Sequence, residues 1–327
     1  MLPEANLHFN WEKLGRIFNP DDAMAPGWVQ QYAQAPNTIN INGKTLVFFC
    51  SRLNPDSSGQ FVSRAGYFEL KLKDGIEIGE ITEKPIISLG SLGSFDEFGT
   101  YPFSPVVGGE EVFAAYGGWT RCDSTPFDVS IGLAKADVNQ LNFSKYKNGP
   151  ILSKSLHEPF VISSPKLRFY NGTFYLFYIA GNKWVKNDQK LDPIYTIRMA
   201  TSKDCLNWEK HDKQLISNRL GNDEAQASPD VFYHSGYFHM FFCYRHGVDF
   251  RNSERGYRMG YAYSTDLINW VRDDTRSDLT PSKDGWDSES VSYPHVFTFE
   301  NHIFMAYLGN EVGKTGIGLA RLKGDEN

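Results

Sequence analysis

One pattern recurs five times along the chain and limits the fold more than anything else in the sequence. A proline, an apolar run, a tight turn and an aromatic strand repeat from Pro36, Pro102, Pro165, Pro229 and Pro294, at steps of 66, 63, 64 and 65 residues. Seven residues after each proline stands Gly43, Gly109, Gly172, Gly236 or Asn301, residue types that tolerate the positive φ of a tight hairpin. The second strand of each unit is rich in Phe, Tyr and Val, as in LVFFCSR, FYLFYIAG and FHMFFCYR, which suits strands covered on both faces. A third strand follows in each unit: AGYFELKL, SIGLAKAD, TIRMATS, RMGYAYS and TGIGLARL. Two units then share the ending A-x-S-x-D-x-x-N-W, at Ala200–Trp208 and Ala262–Trp270, where Asp and Asn suit a turn and Trp can pack between neighbouring units. Equal units of this size predict an all-β fold, a single five-bladed β-propeller over residues 1–327. The last unit stops after its third strand. The segment Trp11–Phe18 is expected to supply the missing outer strand and close the ring.

The net charge of −6 carries no basic footprint for nucleic acid. No apolar stretch is long enough to insert in a membrane. The N-terminal residues do not read as a signal peptide, so a cytoplasmic location is expected. Cys50, Cys122, Cys205 and Cys243 are far apart without metal-ligand spacing, and are expected as buried free thiols. Oligomeric state is left open.

The proline-opened strands and the S-x-D-x-x-x-W endings resemble the five-bladed glycosidases of families 43, 32, 68 and 130. FDEFGTYPFSP, RGYRMGYAYSTDLINW, GWDSESVSYPHVF and GNEVGKTGIGLARL resemble more closely the glycosidase-like proteins found with bacterial surface-polysaccharide genes. The resemblance implies an enzyme acting on glycosidic bonds, a hydrolase, transglycosidase or phosphorylase; the alternative is a non-catalytic carbohydrate-binding propeller in polysaccharide biosynthesis. It would put an Asp before the first proline, an Asp before the third and a Glu two residues before the fourth. Those places hold Ala35, Ser164 and Ala227, so carboxylates must come from elsewhere.

Other acids gather before the inner strands: Asp96 and Glu97, Glu158, Glu224, and Asp287 with Glu289. Glu97, Glu224 and Glu289 each stand five residues before a proline, and Glu158 stands seven before. Equal offsets predict a shared rim around one pocket. Glycoside cleavage needs two carboxyl groups, about 5–5.5 Å apart for retention or about 6.5–9.5 Å for inversion. Glu224 is expected as the acid, with Asp96 or Asp287 as base or nucleophile. Arg52, Arg121, Arg245, His246 and Arg255 offer positive charge for a saccharide or sugar phosphate, with Trp119 and Trp286 for stacking on sugar faces. The residues following the prolines include Lys166, Asp230 and His295, expected at the tunnel floor, where Asp230 is a further catalytic candidate. No metal or cofactor is predicted. The resemblance leaves room for a structural calcium at the hub, although no Asp-rich calcium loop is present.

Overall fold

A computed structural model describes residues 8–22, 24–187 and 190–324. The first strand is β1 (Trp11–Phe18). Four strands follow as an antiparallel array: β2 (Gln31–Ile41), β3 (Lys44–Arg52), β4 (Ser63–Lys71) and β5 (Glu77–Ile81). The next array is β6 (Gly99–Gly108), β7 (Glu111–Thr120), β8 (Asp128–Asp137) and β9 (Ser144–Lys145). One parallel pairing, Ser63 with Gly99, joins these two arrays into an eight-stranded sheet. Then come β10 (Ile162–Tyr170), β11 (Thr173–Asn187), β12 (Lys190–Ser202) and β13 (Glu209–His211). They are followed by β14 (Ala225–His234), β15 (Tyr237–Arg245), β16 (Arg258–Ser264) and β17 (Val271–Arg272). The chain ends with β18 (Ser292–Phe299), β19 (His302–Leu308) and β20 (Ile317–Leu322). β1 pairs antiparallel with β20 and completes this last array, in the order β1-β20-β19-β18.

The first strand of each array touches the first strand of the next: β2 with β6, β6 with β10, β10 with β14, β14 with β18, and β18 with β2. That cycle defines a β-propeller. Apolar side chains fill the spaces between successive arrays. Phe48 of β3 stacks on Phe103 of β6 at 5.7 Å, and Phe113 of β7 meets Phe174 of β11 at 5.0 Å. The turn at Asp204 shows how the repeated ending works. Its carboxylate accepts the N–H groups of Leu206 and Asn207 and the Ser202 hydroxyl, and Asp266 does the same with Ile268, Asn269 and Ser264. Trp208 and Trp270 then pack against the cores on either side.

Each inner strand bulges at its proline. The ladder slips between Gln34 and Asn37, Thr100 and Phe103, Ser163 and Lys166, Ala227 and Asp230, and Ser292 and His295. Ala35, Ser164, Ser228 and Tyr293, each preceding a proline, take positive φ near 50°. That conformation is uncommon for residues with a Cβ, and its fourfold repetition marks a strained ring at one end of the axis.

Closure by β1 rests on more than its ladder. Lys13 of β1 reaches the buried Asp287 at 2.6 Å, and Tyr307 donates to the same carboxylate at 3.1 Å. Lys13→Ala is expected to lower stability by about 1–3 kcal/mol, because it leaves a buried carboxylate with one donor fewer. A urea midpoint measures this, and an unchanged midpoint would show the contact to be idle. No helix among the described residues is long and apolar enough to cross a membrane. Cys50, Cys205 and Cys243 are buried as expected. Cys122, in the loop after β7, is exposed, contrary to the expectation for all four.

Candidate active site

A cavity of about 900 Å³ opens at the N-terminal ends of the inner strands, where the strained residues stand. It is of a size to hold a small ligand. Its walls are aromatic and positively charged. Tyr32, Phe61, Trp119, Phe127, Tyr257 and Tyr293 supply ring surface, and Arg52, Arg121, Arg245 and Arg251 supply charge. Arg52 sits over the rings of Tyr32 and Phe61, 4.6 and 5.2 Å from their centres, and its Nε donates to Gln34. Arg121 lies 4.2 Å from the Phe98 ring centre and 2.6 Å from Asp56. Trp119, Phe127 and Trp184 form a run of rings at 4.5 and 5.2 Å, with Trp119 Nε1 donating to the Tyr101 carbonyl.

The carboxylates on this cavity are Asp192, Glu289 and Glu311. Glu289 is exposed, and Asn310 accepts its backbone N–H at 2.8 Å. Asp192 pairs with Arg251 at 3.3 Å, and Glu311 with Lys314 at 2.9 Å. Of the seven acids named from the sequence, Glu289 alone lines the cavity. The sequence reading missed Asp192 because it lies in the third strand of its array, away from any proline offset. The tyrosines Tyr101, Tyr195, Tyr257 and Tyr293 were missed for want of charge, although the Tyr-Pro dipeptides of FGTYP and VSYP marked two of them.

Asp96, Glu158, Glu224 and Asp287 instead tie strands together within their own arrays, which corrects the expectation of a carboxylate rim. Asp96 is buried between Tyr116 Oη at 2.8 Å and Lys145 Nζ at 2.5 Å. Glu158 takes Tyr178 Oη at 2.8 Å and Lys210 Nζ. Asp287 takes Tyr307 and Lys13, as above. The acid sits in the loop before the inner strand, the phenol in the second strand, and the cation on the outermost strand. In the fourth array the second strand carries Phe242 at this place. Glu224 there takes the backbone N–H groups of Arg219 and Leu220, together with Gln226 and Arg272, the last at 2.7 Å. In the first array Phe49 stands at this place, with Trp28 stacked on it at 5.4 Å. Glu97, at the surface, accepts the Gly93 N–H. Equal offsets misled because the loops differ in length.

Several cationic and aromatic expectations also move. Trp286 lies against Gly309 and Gly318, where an added Cβ would come within 2.4 and 2.3 Å of its ring, and 5.3 Å from Tyr307. It is a packing residue away from the cavity. His246 and Arg255 lie in the loop after β15 without lining the cavity, and Arg255 Nε donates to the Val248 carbonyl. Arg52, Trp119, Arg121 and Arg245 do line it.

Lys166, Asp230 and His295 meet below, on the axis. Lys166 Nζ lies 2.5 Å from Asn37 Oδ1, 3.1 Å from His295 Nδ1 and 3.2 Å from Asp230 Oδ1, and all four residues are buried. Asp230 also takes Arg168 and the Val296 N–H. The Thr38 N–H points at His295 Nε2 at 2.8 Å, so that nitrogen accepts and Nδ1 carries the proton toward Asp230 at 3.3 Å. Burial, and then the Lys166 charge, push His295 down to about 3. Burial pushes Lys166 down to about 8 against the pull of Asp230. Burial alone would raise Asp230, but Arg168 and Lys166 hold it well below the usual carboxylate range. The hub is thus filled by a paired polar cluster, and no group of metal-ligating residues stands among the described residues.

The depressed imidazole sets a pH response. Between about 6.5 and about 3 the unfolded chain protonates this His while the native state does not, so stability falls as acid is added. The expected slope is at most about 1.4 kcal/mol per pH unit. His295→Gln should flatten it, and urea midpoints followed from neutral to acid pH check this. A slope that the substitution leaves unaltered would remove His295 from the account.

The fold is the β-propeller fold of solved glycoside hydrolases and phosphorylases. A glycosyl hydrolase from Bacteroides ovatus superposes with a TM-score of 0.72 at 16% identity, covering 96% of this chain and 94% of that one. A structure from the GH130 family superposes at 0.67 with 16% identity, covering 98% and 95%; that family of mannoside phosphorylases contains glycoside hydrolases that target β-1,2 mannosidic linkages in Candida mannan. No family-wide sequence profile matches the chain. It is 30% identical over 314 residues to Uncharacterized protein Rv1502 of Mycobacterium tuberculosis, covering 96% of this chain and 99% of that protein, and belongs to the same family.

Proposed function

We propose that residues 1–327 form one five-bladed propeller that binds a saccharide, anionic in character, in the axial cavity and acts on its glycosidic bond, with Glu289 and Asp192 as the carboxyl pair. The observation that carries this reading is the cavity itself. It combines a stacking surface at Trp119, an excess of arginine and the carboxylates Glu289 and Asp192 at one place. Trp119 and Phe127 present ring faces of the kind that pack on sugar rings. Glu289, exposed and with no cationic partner among the described residues, suits the role of general base or nucleophile. Asp192, buried beside Arg251, is the second carboxyl group.

A second reading is binding without turnover. It draws on Ala35, Ser164 and Ala227 at the bulged strand ends, and on the engagement of Asp96, Glu158, Glu224 and Asp287 in ion pairs. One experiment separates the two. The full chain is incubated with a panel of oligosaccharides, with and without inorganic phosphate, and both binding and product release are followed. Product that disappears in Glu289→Gln while binding persists supports the enzyme, and sugar 1-phosphate as product assigns phosphorolysis. Binding with no product from any bound saccharide supports the second reading.

A further inference from the structure

Arg245 is the largest of the fully buried side chains. All five of its N–H donors are engaged, and every acceptor is neutral. Nε donates to Tyr257 Oη at 3.3 Å. One terminal nitrogen donates to the carbonyls of His246 and Gly247, at 2.9 and 3.3 Å. The other donates to the Pro193 carbonyl and to Tyr195 Oη, at 3.3 and 3.2 Å. Phe250 covers its face, with the ring centre 3.5 Å from Cζ. Among the described residues no carboxylate pairs with it. A full positive charge is thus buried at the cavity wall without a counter-charge, a costly arrangement unless something else neutralises it.

The two phenols on Arg245 touch each other, Tyr195 Oη to Tyr257 Oη at 2.9 Å, and both residues line the cavity. Each oxygen already accepts an N–H from the guanidinium. The pair has two hydroxyl protons. One bridges the two oxygens, and the other has no acceptor among the described residues. Burial pushes Tyr257 well above its ordinary value, so its proton stays on the oxygen across the neutral range. The result is one uncommitted O–H donor at the cavity wall, polarised by the charge behind it.

We infer that Tyr195, Tyr257 and Arg245 form the subsite for the anionic group of the ligand. An oxyanion accepts the uncommitted phenol proton, and the buried guanidinium supplies the charge it faces. This rests on the cavity being the saccharide site and names the ligand class more narrowly: a sugar bearing a carboxylate or a phosphate. The whole protein carries −6, so the positive wall is local, which fits a site for an anion.

Calorimetry on the full chain with glucose, glucuronate, galacturonate, glucose 1-phosphate and inorganic phosphate tests it. At least one anion should bind roughly tenfold to a hundredfold more tightly than glucose. Uronates and phosphates serve as separate arms, and the stronger arm identifies the oxyanion. The phenol pair has a distinctive signature. Tyr195→Phe or Tyr257→Phe alone leaves one phenol whose proton is free, so each single variant should keep the preference. The double variant should lose it, its affinity for the anion falling to that for glucose. Equal binding of glucose and the anions overturns the subsite and leaves the saccharide reading standing. Inorganic phosphate bound and displaced by no sugar keeps the subsite and overturns the saccharide reading. No binding by any anion, or a double variant that retains the preference, overturns the inference. The wild-type comparison decides the case even if the double variant does not fold.

Discussion

Asp230→Ala is expected to destabilise the protein by about 3–5 kcal/mol, the usual cost of stripping one partner from a buried charge cluster. Asp230 faces Lys166 and His295 at 3.2 and 3.3 Å, bonds Arg168, and accepts the Val296 N–H at 2.6 Å. Its loss leaves the charges of Lys166 and Arg168 with no anion between them. Lys166→Met should cost less, because Asp230 keeps Arg168 and two N–H donors. The double variant should show a large coupling between the two sites, read from urea unfolding with an unaltered m-value. Asp230 also adds to the acid response of His295. Its native affinity for a proton is depressed, so the stability it contributes is full at neutral pH and is lost as pH falls through and below the ordinary carboxylate range. An Asp230→Ala protein as stable as the wild type would mean that the axial cluster does not hold the ring together.

Glu289→Gln is expected to lower turnover by roughly 10²–10⁴-fold with little change in ligand affinity, the scale of a lost acid–base group. Asp192→Asn should lower it as well, with a weaker Arg251 contact as a side effect. The informative control is Glu224→Gln. Glu224 lies fully buried between Arg272, Gln226 and two backbone N–H groups, out of the cavity. Its neutralisation should reduce stability while sparing turnover per folded molecule. The opposite pattern, with activity lost at Glu224 and intact at Glu289, would overturn the assignment of the carboxyl pair. Kinetics at saturating substrate, corrected for folded fraction, distinguish them.

The recurrence of proline, hairpin turn and aromatic strand was legible because each unit must solve the same local problem. A bulge at the proline, a turn at Gly43 or its counterparts, and a strand covered on both faces are short-range demands. They leave a short-range record. The closing strand was legible too, since a last unit one strand short has to find its edge at the other terminus. The site was less so. Loops of unequal length carry Asp96, Glu158, Glu224 and Asp287 to one structural position at different offsets from their prolines, and carry Glu97 and Glu289 to different ones. An acid in such a loop reads the same whether it meets Lys145 across an array or opens on the cavity.

By itself the sequence determined the all-β repeat, the turns and the aromatic cores, because periodic apolar burial acts within each unit and repeats with it. The tertiary structure alone decided which charges pair and which face the axis. The partners of Asp96, Glu224, Asp230 and Asp287 come from other strands, loops or units, and an ion pair forms wherever ring closure brings two charges within reach in a poorly solvated place. Among the described residues the same closure leaves Arg245 without a carboxylate and sets Tyr195 and Tyr257 against it, an arrangement no local pattern encodes.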